Sequence, residues 1–86
     1  MATSARRSSA QQAGILCNDK GFQRFVAERS GFPGEEFGAS AAAQYLRSFC
    51  GINSRRALDT DEAAQARFGI LRTEFDAWAG RIATPR

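Results

Sequence analysis

Histidine is absent from all 86 residues, and with it every Ser-His or Cys-His nucleophile and every histidine-containing zinc site. Cysteine is scarce: Cys17 and Cys50 are the only two, too few for a four-cysteine metal site and not spaced as a C-x-x-C redox pair. Both read as reduced, small, buried hydrophobes. Valine appears once and no run of alternating β-branched residues exists, so strands have no support. No apolar run reaches the length of a membrane span, and Arg6 and Arg7 lead into polar residues 8–12 rather than into the apolar core of a secretory leader. The expectation is a non-enzymatic, cytoplasmic protein with no cofactor, no metal, no small-molecule substrate and no membrane partner.

What is present fits one small domain. A chain of 86 residues does not split into two cores, and surface scaling allows about 63% of its surface to be buried. The hydrophobic fraction of 43%, with seven Phe and one Trp, is too apolar for full disorder. Residues 1–9 carry no periodicity and read as a disordered basic tail. Residues 10–84 read as a single helical domain, giving an all-α, compact bundle of about four helices.

The helical patterns are spaced as follows. A short helix is expected from about Ser9 to Cys17, with Ala13, Leu16 and Cys17 on one face. Asp19 can cap the next, in which Phe22, Phe25, Val26 and Arg29 stand at i, i+3, i+4 and i+7. Residues 31–38 hold Gly31, Pro33, Gly34 and Gly38 and form a loop. From about Ser40, the series Ala42, Tyr45, Leu46, Phe49, Cys50 marks a helix that Gly51 ends. Arg55-Arg56-Ala57-Leu58 makes a short turn, and Asp59 with Glu62 has capping-box spacing for a long helix over about 60–80. There Ala64, Phe68, Leu71, Phe75, Trp78 and Ile82 form one apolar seam. Packing within the monomer is favoured over a helical dimer, because Phe and Trp fit two-stranded knobs-into-holes packing poorly. The expected core joins Phe68, Leu71, Phe75 and Trp78 to Phe22, Phe25, Leu46 and Phe49.

Two groups are candidate contact surfaces. The first is the arginines. The net charge is +3, and eleven of the twelve basic residues are Arg, whose forked guanidinium suits phosphate and carboxylate. The excess sits at Arg6 and Arg7, at Arg55 and Arg56, and at Arg81 and Arg86. The sixteen Ala accord equally with a GC-rich genome as the source of the arginines, and Arg55 and Arg56 could instead pair with Asp59 and Asp61. Sequence-specific reading by a helix-turn-helix is disfavoured, because Asp59, Asp61 and Glu62 would repel DNA from the groove. The second group is the loop, with Phe32, Glu35, Glu36 and Phe37. Its two rings either fold back on the core, the expectation in so small a domain, or form an exposed partner patch. Glu35 and Glu36 are adjacent, so they are a solvated turn rather than an acid and base pair.

Several short motifs together resemble a family. Ile15-Leu16-Cys17-Asn18-Asp19 with Phe22-Gln23-Arg24-Phe25, then Phe49-Cys50-Gly51-Ile52 with Ser54-Arg55 and Leu58-Asp59, then Phe75-Asp76-Ala77-Trp78, look like small uncharacterised bacteriophage and prophage helical proteins encoded near recombination and replication genes. The resemblance covers residues 13–79, and the segment from Gly31 to Gly38 is longer than that family's usual connector. It implies a non-enzymatic phage accessory protein in a bacterial host cell and supplies no catalytic residues. Two expectations follow: weak, non-specific nucleic-acid association through the arginines, or inhibition or adaptation of a host protein, as in an anti-defence protein of the anti-CRISPR kind.

Overall fold

A computed structural model describes residues 8–81 of the chain. Four helices follow one another: α1 (Ser9–Cys17), α2 (Lys20–Arg29), α3 (Ala39–Cys50) and α4 (Glu62–Trp78), with a 3₁₀ turn (Arg55–Asp59) before the last. No strand occurs among the described residues, and the fold is all-α. Of the tail expected at residues 1–9, Ser8 and Ser9 instead cap and open α1, because the Ser8 and Gln11 side chains close the first turn; residues 1–7, Ile82 and residues 83–86 lie outside the described range.

α1, α2 and α4 each begin where a side chain satisfies amide groups that the helix itself leaves unpaired, whereas α3 begins at Gly38 with no side-chain cap. Ser8 Oγ accepts from the Gln11 amide at 3.1 Å and Gln11 Oε1 from the Ser8 amide at 3.2 Å, a reciprocal box. Asp19 Oδ1 accepts from the amides of Gly21 and Phe22, so α2 begins where the sequence places it. The start of α4 differs from expectation. Asp61, not Asp59, is its cap, accepting from the Ala64 amide at 3.1 Å. Asp59 instead accepts from the Ala10 amide at 3.0 Å, in the first turn of α1. At the other end of α3, Gly51 adopts φ +72°, and the Ile52 amide closes onto the Arg47 carbonyl at 3.0 Å.

One core joins all of these elements. Ala13, Cys17, Phe22, Phe25, Val26, Ala42, Leu46, Cys50, Leu58, Ala64, Phe68, Leu71 and Phe75 pack as a single buried cluster. The rings of Phe22, Phe25 and Phe75 meet with centroids 5.3 to 5.8 Å apart, an arrangement favoured beyond simple burial. The only buried polar side chain among the described residues, Gln23, donates to the Cys17 carbonyl at 2.9 Å and so closes the end of α1.

Three expected core members stand further out. Phe49 is only half-buried, stacked on Tyr45. Trp78 is 37% exposed: it covers Phe25 and Phe75 while its indole N–H donates to Glu28 Oε2 at 3.1 Å. The polar edge of an indole needs a partner, and here that partner is a surface carboxylate. In the loop, Phe37 packs half-buried against the core, but Phe32 is 54% exposed and touches Phe37 at 5.7 Å between centroids. The expectation that both rings fold inward therefore holds for Phe37 alone.

Candidate functional site

The charged side chains divide into a neutralised set and an uncompensated one. Lys20 and Arg24 share the carboxylate of Glu36 at 3.6 and 3.5 Å. Glu36 is thus an ion-pair partner of α2 rather than a free turn residue. Arg29 pairs with Glu74 at 3.0 Å and lies over the Phe25 ring. Arg81 pairs with Asp76 at 3.0 Å and lies over Phe75. Among the described residues the other five arginines, Arg47, Arg55, Arg56, Arg67 and Arg72, have no carboxylate within ion-pair distance.

The expected pairing of Arg55 and Arg56 with Asp59 and Asp61 does not form, because both carboxylates accept from helix amides instead. The 3₁₀ turn projects Arg55 and Arg56 because Ser54 caps it, accepting from the Arg56 amide at 3.3 Å, while Leu58 anchors it in the core. The Arg55 guanidinium rests on α1 at Gly14: a Cβ there would lie 2.7 Å from Nη1. On the other side of α1, Arg72 donates to Gln12 Oε1 at 2.6 Å. Exposed Ile15 separates two shallow clefts, one walled by Arg55 and the other by Arg72. Arg67 donates to the Cys50 carbonyl at 3.3 Å, a neutral acceptor that leaves its charge uncancelled.

The two thiols report on the same field. Burial raises the pKa of Cys17 above its ordinary value, against the opposing pull of Arg55 and then Arg47. Burial likewise raises Cys50, with Arg67 opposing. Both thiols are protonated at neutral pH and enclosed, which makes them poor nucleophiles. Arg47, on α3, acts on Cys17 together with Arg55. Its place near the end of α3, eight residues before Arg55, is the sequence signal that could have added it to the candidate set.

Of the six arginines singled out from sequence, then, Arg55 and Arg56 stand together on one exposed turn. Arg81 is tied to Asp76, and Arg6, Arg7 and Arg86 lie outside the described residues. Glu35 is exposed in the loop beside Phe32. Among the described residues no group of three metal-ligating side chains gathers, and no helix is long and apolar enough to cross a membrane. Comparison with protein-family models, with the curated proteins and with the solved structures gives no match.

Proposed function

We propose that this chain is a binding protein without catalytic chemistry, and that its arginine surface holds the phosphate backbone of nucleic acid without reading sequence. The observation that carries the proposal is the uncompensated set: Arg55 and Arg56 exposed on the 3₁₀ turn, with Arg47 acting on Cys17 together with Arg55, Arg72 bonded to Gln12 of α1, and no carboxylate within ion-pair distance of any of them. Guanidinium groups not neutralised within the protein attract polyanions and release counterions on contact. The absence of histidine and the enclosed, protonated thiols support binding over catalysis. The resemblance of residues 13–79 to small phage proteins supports an accessory role beside recombination or replication machinery, in the bacterial cytoplasm.

The test compares the parent with Arg55→Ala/Arg56→Ala, titrated with labelled single- and double-stranded oligonucleotides at low and physiological salt. The double variant is expected to bind more weakly whatever the sequence, with a salt slope reduced by up to about two units. Its melting temperature stays close to the parent's, since neither side chain forms an ion pair. No binding by the parent even at low salt overturns the reading. A second reading then takes its place, a host-protein contact at the loop, which rests on the exposed ring of Phe32 beside Phe37.

A further inference from the structure

The longest helix carries a second apolar face that the other described residues leave largely uncovered. Ala63, Ala66, Ile70, Thr73 and Ala77 recur along α4 at steps of three and four, on the side opposite the core residues Ala64, Phe68, Leu71 and Phe75. Ile70 is 54% exposed at the centre of this face, above a surface groove lined by Ala66, Gly69, Thr73 and Glu74. A globular helix ordinarily turns charge toward solvent on this side. Here the charges stand at the edges: Arg67, which no carboxylate of the described residues cancels, and Glu74, paired with Arg29, flank one side, and Glu62 and Asp76, the latter paired with Arg81, the other.

We infer that a second copy of this chain covers the face, with the two α4 helices antiparallel. The charge pattern argues for this occupant and for one register. Placing Ile70 opposite Thr73 of the second copy sets Ala66 opposite Ala77, and brings Arg67 against Glu74 of the second copy, twice about the two-fold axis, so that this carboxylate serves Arg29 and Arg67 together as Glu36 serves Lys20 and Arg24. On the other edge Asp76 then faces Gly69, which carries no charge. Sliding one helix by a heptad, so that Ile70 meets Ala66, sets Arg67 against Arg67, while Glu62 meets an Asp76 that Arg81 already holds. Like charges at flanking positions disfavour that register. Antiparallel packing also opposes the two helix dipoles favourably, and Gly69 and the alanines let the backbones approach closely.

The inference does not rest on the nucleic-acid reading, because the residue that tests it, Ile70, belongs to no arginine contact. α4 has 17 residues, and one helix pair of that length lies at the small end of specific interfaces, so the dimer is concentration-dependent. Sedimentation equilibrium, run up to about 500 μM as befits a weak association, is expected to show dimer in the parent. Ile70→Glu should weaken it by tenfold or more while leaving the thermal melt in place, since the side chain is exposed in the monomer. Arg67→Glu and Glu74→Arg should each weaken the dimer, and the double variant should restore it. A parent that stays monomeric throughout overturns the inference, as does a dimer indifferent to Ile70→Glu. A double variant no better than the single ones overturns the antiparallel register.

Discussion

The two ends of this small bundle treat arginine in opposite ways. Where α2 runs beside the second half of α4, Arg29 and Arg81 are each paired with a carboxylate and laid over a phenylalanine ring, and Trp78 joins them through Glu28. Where α1 meets the 3₁₀ turn, Arg55 and Arg56 have neither carboxylate nor ring among the described residues, and Arg55 lies on the bare backbone of Gly14. At the first end cations serve the fold, covering aromatic core edges at the solvent boundary. At the second, stability comes from helix caps and small side chains, which leaves the cations free for a partner. Arginine content alone is therefore uninformative; what separates the two sets is whether an acid is built into reach.

The comparison breaks most visibly at Phe75, where the aromatic end is concentrated. Phe75→Ala removes a buried ring that packs on Phe22, Phe25 and Trp78 and under Arg81, and should cost about 3 to 5 kcal/mol. In a domain of this size that is a large share of total stability, so the cooperative thermal melt is expected to vanish or fall by tens of degrees; a shift of a few degrees would show that the ring is dispensable.

A smaller effect sharpens the contrast between caps. Asp61→Ala and Asp59→Ala should each destabilise by about 1 kcal/mol, but at different places. Amide exchange should quicken at Ala64 in the first variant and at Ala10 in the second, because those are the amides each carboxylate accepts from. Acceleration at Ala64 in both would return Asp59 to the start of α4.

The smallest effect is a pH dependence centred on the thiols. Burial raises Cys17 and Cys50 above the ordinary thiol value of 9.0, and Tyr45 above 10.0. The unfolded chain therefore gives up these protons first. Their contribution to stability is complete below pH 9 and is lost progressively as pH rises past it. Urea unfolding should show a lower midpoint at pH 10 than at pH 8, and Cys17→Ala/Cys50→Ala should flatten that difference. An equal alkaline loss in the double variant would assign the effect to other groups.

Much of the fold was legible because helical spacing of large apolar residues admits few alternatives. Phe22, Phe25 and Val26, or Ala42, Leu46 and Cys50, share a face only in a helix, and all six are buried. The errors fell where two similar groups competed for one role. Asp59 and Asp61 are both acceptable caps, and the choice between them depends on α1, which lies 49 positions away from Asp59 at Ala10. Trp78 continues the spacing of the seam, yet the periodicity carries no information about its indole N–H, which draws the ring outward to Glu28. Phe32 and Phe37 look equivalent in sequence, and both amides are held, Phe32's by the Ala27 carbonyl at 2.8 Å and Phe37's by the Gln23 carbonyl at 3.4 Å, but only the Phe37 ring reaches the core. The candidate surface was legible only in part: the Arg55-Arg56 pair is visible as a doublet, whereas Arg47 joins it through tertiary folding, and Arg81 leaves it because Asp76 lies five positions back on its own helix turn.

The bond from the Ala10 amide to Asp59 also orders events during synthesis. Of the four helices, the one made earliest is the one whose first turn is completed by a residue made much later, and α1 packs mainly on α3 and the 3₁₀ turn rather than on its sequence neighbour α2. A nine-residue helix is too short to persist alone in water. On the growing chain α1 is therefore expected to stay unfolded until residues 55–59 have left the exit tunnel, so that the bundle closes by bringing α1 back to the 3₁₀ turn.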